Sequence, residues 1–112
     1  MLIRASSGSG GGGAKVATSA VYDLSSTNVS NPAAITIPGL TKVIAAYIIP
    51  TSNGNLTAPQ NARFAYINDS GTFVSTLGNA NTFGITWING NTVYAYMASG
   101  AYPNAIVYAV GY

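Results

Sequence analysis

The sequence predicts an all-β fold: a single antiparallel, β-sandwich or jelly-roll-like domain of about eight short strands. Val, Ile, Thr, Tyr and Phe dominate the chain after residue 13, as on a half-buried pleated surface. Turn residues interrupt these segments about every 8–12 residues, and no long 3.6-residue periodicity indicates a helix. We place the domain at residues 14–112, after a Gly/Ser-rich N-terminal arm at residues 1–13.

The strands follow from side-chain alternation and from the turns between them. Residues 42–49 are apolar on both faces, which predicts a central strand. Residues 50–61 form a polar loop in this interpretation, and Asn68 to Gly71 form a four-residue turn. The predicted strands cover residues 15–24, 33–37, 42–49, 62–67, 72–77, 83–88, 91–97 and 105–112. One face of the first strand carries Val16, Thr18, Ala20, Tyr22 and Leu24.

The clearest local prediction is a hairpin around Asn89-Gly90, a dipeptide that suits a type I′ turn. A two-residue loop at these positions pairs Ile88 with Asn91 and Trp87 with Thr92. One face of this hairpin then carries Phe83, Ile85, Trp87, Thr92, Tyr94 and Tyr96.

The last predicted strand, residues 105–112, has two different faces. One face carries Ile106, Tyr108, Val110 and Tyr112. The other consists of the small residues Ala105, Val107, Ala109 and Gly111. This second face is flat, so it suits close packing against another sheet.

Charged residues are unusually rare, at 5% of the chain. The four cations are dispersed and form no stripe, which argues against nucleic acid as a partner. A surface so poor in charge has little protection against association. We therefore expect much of it to be covered by partners, including copies of this chain.

The residue inventory argues against an enzyme. The chain has no Cys and no His, and its two acidic residues are Asp23 and Asp69, both beside turn-forming residues. We expect no catalytic residue, because a Ser or Thr nucleophile would lack a base, and no metal site, because zinc ligands are missing. We also expect no cofactor, since the Gly-x-Gly-x-x-Gly match starting at Gly8 neither follows a strand nor opens a helix.

Trp87, Tyr94 and Tyr96 are the candidate interface or sugar-stacking residues, because they share a predicted face and have Asn neighbours. Aromatic rings on such a face pack in the core, at a subunit interface or against a sugar ring. Core packing or a subunit contact is the interpretation that the sequence favours.

No signal-peptide pattern precedes the Gly/Ser tract, and the apolar run at residues 43–49 is too short to cross a bilayer as a helix. We therefore expect assembly in a cytoplasm and no membrane partner.

The Gly/Ser arm at residues 5–13, the uncharged domain rich in Asn, Thr, Gly and Tyr, and the ending at residues 105–112 carry a resemblance. In composition and layout the chain resembles small structural proteins of tailed bacteriophage virions, such as capsid decoration proteins and the tips of tail or head fibres. The resemblance implies a β-sandwich, homo-oligomers that are often trimers, and attachment to neighbouring virion proteins through a terminal arm. Residues in this arm include Arg4, Gly8, Gly10 and Gly13.

Two alternatives to a virion subunit remain open on the sequence. One is a carbohydrate-binding, receptor-binding module at a fibre tip that recognises a cell-surface glycan. The other is a subunit of a self-assembling extracellular fibre, which the missing export signal disfavours.

Overall fold

The computed structural model describes residues 13–52, 55–56, 63–76, 83–98 and 103–112, and within these ranges the chain forms β-strands and no helix. The all-β prediction is therefore confirmed. In chain order the strands are β1 (Lys15–Thr18), β2 (Tyr22–Asp23), β3 (Ala33–Thr36), β4 (Val43–Ser52), β5 (Asn55–Leu56), β6 (Arg63–Ile67), β7 (Phe73–Thr76), β8 (Phe83–Asn89), β9 (Thr92–Met97) and β10 (Asn104–Gly111).

Two antiparallel sheets make up a β-sandwich. The large sheet has the order β1-β10-β4-β6-β7, with β2 beside β10 and β5 beside β4, and the small sheet has the order β3-β9-β8. Strand β4 lies in the middle of the large sheet, as its apolar faces predict. It is longer than predicted, because it runs on to Ser52 and pairs there with β5 in a segment predicted as loop.

The core lies between the inner faces of the two sheets. The large sheet contributes mainly small residues, among them Ala46, Ala65, Ala105 and Ala109. The small sheet contributes the bulkier side chains of Ile35, Phe83, Ile85, Ile88 and Val93. The flat face of β10 that its small residues predict is buried in this core. Its small side chains leave room for the bulky side chains of the small sheet to approach closely.

The predicted strand at residues 15–24 is interrupted. Thr18 pairs with Tyr108 and Tyr22 pairs with Ala105, so four residues advance along this segment against three along β10. Ser19 bridges the irregularity, because its N–H donates to the Val107 carbonyl (2.9 Å). Its hydroxyl oxygen accepts a bond from the Val107 N–H (3.0 Å).

This extra residue divides the face predicted for the first strand. Val16 and Thr18 point away from the core and are exposed, whereas Tyr22 packs against the core and Leu24 is fully buried. A one-residue slip moves every later side chain to the opposite face of a strand, so the prediction of one shared face is wrong.

The register predicted for the β8–β9 hairpin is also wrong. Asn89 pairs with Thr92 and Ile88 with Val93, so Gly90 and Asn91 are the two turn residues. Gly90 has a φ of +60°, which suits a primed hairpin turn. The observed register places Ile88 and Val93 opposite each other in the core, whereas the predicted one would have placed Ile88 opposite a polar Asn91.

A β-bulge at Thr86 separates the aromatic and aliphatic residues of β8. Ile85 pairs with Ala95 and Trp87 with Tyr94, which leaves Thr86 without a partner residue on β9. Phe83 and Ile85 consequently point into the core, although alternation predicts that they share a face with Trp87.

Close backbone contact joins the end of β10 to the start of β4. The Tyr112 N–H donates to the Lys42 carbonyl (2.9 Å), and the Thr41 N–H donates to the Tyr112 carbonyl (2.6 Å). A Cβ atom at Gly111 would collide with the Lys42 carbonyl oxygen and lie 3.0 Å from the Cα of Val43. Glycine is required at this position because the two backbones occupy the space of a side chain.

Candidate functional site: the outer faces of the two sheets

The side of the large sheet that points away from the core is mostly apolar across five strands, with the polar residues Thr18 on β1 and Asn104 at the start of β10. We call this surface the outer apolar face. Its members are Val16, Ala45, Tyr47, Ile49, Phe64, Tyr66, Val74, Ile106, Tyr108 and Val110. None of these residues is charged, and each keeps part of its surface exposed. A sheet with both faces apolar normally has both faces covered.

The strand register arranges this face in rows. Val16, Val110, Ala45 and Tyr66 form one row across β1, β10, β4 and β6. In the next row, Tyr108, Tyr47 and Phe64 bring three aromatic rings onto neighbouring strands. Aromatic residues on adjacent strands give a broad, stiff surface, because each ring has few rotatable bonds.

A groove crosses the outer apolar face and deepens at one end. Its deep end is a cavity of about 340 Å³ lined by Ala45, Phe64, Tyr66, Asn68 and Asp69. A shallower depression of about 120 Å³ shares Ala45 and Phe64 and continues to Val110 and Val16. The Phe64 and Tyr66 rings lie 5.5 Å apart and are tilted by 32°. The groove therefore leads from the start of β1 to the turn after β6.

The turn after β6 holds Asp69 at the rim of this cavity. The Asn68 side-chain Oδ1 accepts bonds from the Ser70 N–H (3.0 Å) and the Thr72 N–H (2.9 Å). Gly71, with a φ of +81°, donates its N–H to the Asn68 carbonyl (2.9 Å). The predicted turn is confirmed, and these bonds fix its backbone while Asp69 stays exposed.

The outer face of the small sheet is different, because it combines aromatic with neutral polar residues. Trp87 pairs directly with Tyr94 and is 50% exposed, so its placement in the core is excluded. The Trp87 ring also packs on Phe73 of the large sheet, at a centroid distance of 5.3 Å. The adjacent row carries Thr36, Thr92 and Asn89.

Tyr96 occupies the same outer face farther along β9, but it serves a packing role. It pairs with Gly84, and a Cβ atom built on Gly84 would lie 2.5 Å from the Tyr96 Cζ. The Tyr96 ring therefore covers the glycine backbone. Trp87, Tyr94 and Tyr96 share a face as predicted, with Trp87 and Tyr94 in direct opposition.

The predicted arm residues Arg4, Gly8 and Gly10 lie outside the described residues. Gly13 is the first described residue, half-buried just before β1. Assignment of these residues to an assembly arm stays a prediction.

The two carboxylates occupy opposite ends of the large sheet. Asp23 pairs with Asn104 at the start of β10. Asp69 follows β6 at the other end of the sheet, because Tyr66 near the end of β6 lies in the same row as Val110 near the end of β10. The pKa of Asp23 is lowered because the Ser25 N–H donates to its Oδ1 (2.9 Å) and the Ser25 side chain donates as well. Within the described part of the chain, no three His, Cys, Asp or Glu residues form a cluster suited to a metal ion.

Sequence reasoning missed the residues of β1, β4 and β6 that form the outer apolar face. Tyr47, Phe64 and Tyr66 were not predicted as site residues, and Val16 was predicted only as part of one face of the first strand. The apolar character of residues 42–49 on both faces was a usable signal. What the sequence lacked was the strand order that brings these residues together.

No helix among the described residues is long and apolar enough to cross a membrane.

Comparison of the chain with protein-family models, with curated proteins and with solved structures found no match.

Proposed function

We propose that this chain is a non-enzymatic structural subunit of a larger protein particle, of the tailed-phage virion type that its sequence resembles. In such a particle it decorates the capsid or forms part of a tail or head appendage. It joins copies of itself and neighbouring proteins through its N-terminal arm and its sheet surfaces. The observation that carries the proposal is the outer apolar face, which extends over five strands without a charged residue.

The hydrophobic effect supports this function. Burying apolar surface contributes about 25 cal/mol per Å², and contiguous exposed apolar patches on proteins commonly mark interaction sites. The rings of Tyr47, Tyr66 and Tyr108 suit a subunit contact, because they bury area while each keeps a hydroxyl that can reach water or a partner. Low charge also limits the repulsion between packed copies.

A charge placed on the outer apolar face tests the proposal. Val16 is 70% exposed on edge strand β1, so Val16→Lys changes the face with little effect on folding. Ala34→Lys is the matched control, because Ala34 is exposed on edge strand β3 of the small sheet. Circular dichroism of both variants establishes that they fold.

The readout is mass measurement of native particles assembled with each variant, which also identifies the co-assembled proteins and their stoichiometry. We expect Val16→Lys to be depleted from the particles and Ala34→Lys to be incorporated at the normal level. Equal incorporation of the two variants would show that the outer apolar face is not an assembly contact. A chain that stays a soluble monomer at high concentration and enters no particle would contradict the function itself.

The surface around Trp87 favours a second candidate function, a carbohydrate-binding module at a fibre tip. A half-exposed indole beside Tyr94 offers a ring on which a sugar can stack, and Asn89 and Thr92 offer neutral polar groups. A glycan array probed with Trp87→Ala tests this function, with Phe64→Ala on the opposite surface as the control. Binding that Trp87→Ala abolishes and Phe64→Ala retains would support it, and absence of glycan binding by the unaltered chain would exclude it.

A further inference from the structure

We propose that the deep end of the groove on the outer apolar face binds the N-terminal segment Leu2-Ile3-Arg4 of a second copy of this chain. The inference rests on the proposed function, because it names the partner for one part of the assembly surface. In this contact the Leu2 and Ile3 side chains pack on the rings of Phe64 and Tyr66, and the Arg4 guanidinium pairs with the Asp69 carboxylate.

The lining of the cavity defines the chemistry of its occupant. Phe64 and Tyr66 supply two adjacent rings, and the exposed carboxylate of Asp69 stands at the rim. Rings favour aliphatic groups and the flat face of a guanidinium, and a carboxylate favours a cation. A short peptide with aliphatic residues next to an arginine fits both requirements.

The sequence contains one such peptide. Leu2 and Ile3 immediately precede Arg4, and the Gly/Ser-rich residues 5–13 follow. Asp69 is exposed at the rim of the cavity, where a partner can reach its carboxylate. The exposed cations Lys15, the first residue of β1, and Lys42, the residue before β4, have no aliphatic pair directly before them.

The geometry of the sheet gives the segment a route. Strand β1 starts and β6 ends at the same end of the large sheet, with Val16 and Tyr66 in one row. Three strand spacings separate them, about 14 Å. The nine residues 5–13 span about 30 Å when extended. They therefore reach the cavity of a neighbouring copy whose β1 starts within that distance.

Charge exchange between Arg4 and Asp69 tests the contact in the full chain. Sedimentation equilibrium gives the self-association constant of the unaltered chain, of Arg4→Asp, of Asp69→Arg and of the double variant. We expect each single variant to associate about tenfold more weakly, which corresponds to about 1.4 kcal/mol, since it places like charges together. The double variant recovers the association because the opposite charges are restored.

A matched pair of milder substitutions separates the contact from general charge effects. Asp69→Asn and Asp23→Asn each remove one carboxylate and keep an oxygen acceptor, and we expect only Asp69→Asn to weaken association. Self-association that is insensitive to all four substitutions would overturn the inference and leave the proposed function standing. A monomer at every concentration would also overturn the inference, whereas incorporation into particles decides the proposed function. Coupling between Arg4 and Asp69 in a chain that stays monomeric would place the contact within one chain and overturn the intersubunit assignment.

Discussion

The large sheet and the small sheet bury their inner faces against each other, but their outer faces differ in composition. The outer apolar face of the large sheet has aromatic and aliphatic residues in successive rows, such as Val110 with Ala45 and Tyr108 with Tyr47. The outer face of the small sheet has the rings of Trp87, Tyr94 and Tyr96 beside the polar side chains of Thr36, Thr92 and Asn89. Packing in the core explains why both inner faces are apolar, but it does not explain the composition of either outer face.

This difference indicates which of the two outer surfaces needs a partner. Threonine and asparagine are compatible with water, whereas a broad apolar surface costs free energy while it stays wet. We therefore expect the large sheet to be covered in the assembled state and the small sheet to remain open.

The largest expected effect is on stability and concerns Phe83 and Trp87, two rings of β8 that the bulge at Thr86 places on opposite faces. Phe83→Ala should lower the free energy of unfolding by about 3–5 kcal/mol, because Phe83 is fully buried between the sheets. Trp87→Ala should cost only about 1 kcal/mol, mainly its contact with Phe73. Urea denaturation of both variants measures the difference. Equal losses would show that the two rings share one environment, as uninterrupted alternation implies.

A smaller effect is expected from adding one methyl group to a glycine in each sheet. Gly111→Ala should destabilise the domain by about 2–3 kcal/mol, because its Cβ meets the backbone carbonyl of Lys42. Gly84→Ala should cost about 1 kcal/mol, because its Cβ meets the end of the Tyr96 side chain, which can move aside. Thermal denaturation ranks the two variants. The reverse order would mean that the small sheet is the more rigid of the two.

The single tryptophan provides a spectroscopic test of which face is covered. Trp87 lies on the small sheet and is half-exposed, so acrylamide should quench its fluorescence in the free subunit. If assembly uses the large sheet, quenching should be nearly unchanged after self-association, since Trp87 remains open to solvent. A marked loss of quenching on association would instead place the subunit contact on the small sheet.

The smallest expected effect concerns the carboxylate of Asp23. The folded-state pKa of Asp23 lies below its ordinary value of 3.8, so the hydrogen bonds from Ser25 stabilise the fold above that pH. This contribution is lost as pH falls through the lowered pKa. Between about pH 5 and about pH 2, the urea midpoint of Asp23→Asn should therefore fall slightly less than that of the unaltered chain. An identical fall in both proteins would mean that Asp23 does not contribute to stability.

The sequence alone predicts the fold class, the approximate positions of most strands and the turn at Asn68, but it misplaces the β8–β9 hairpin turn by one residue. Short-range chemistry decides these features, and the Asn68 turn illustrates it, because the side chain bonds the backbone of the next few residues. The flat inner face of β10 was equally predictable, since its small residues alternate without interruption. The expectation of association also comes from composition alone, through the low charge content, and it stays a prediction.

Tertiary packing sets which side chains share a face beyond each irregularity. The extra residue after Thr18 and the bulge at Thr86 each move the side chains that follow to the opposite side, and nothing in the local pattern marks either position. The outer apolar face likewise depends on strand order, which brings Val16 and Tyr66 into one row from distant parts of the chain. Both outcomes follow from the packing of one sheet on the other, because burial of residues such as Phe83 and Ile88 outweighs the cost of an interrupted ladder.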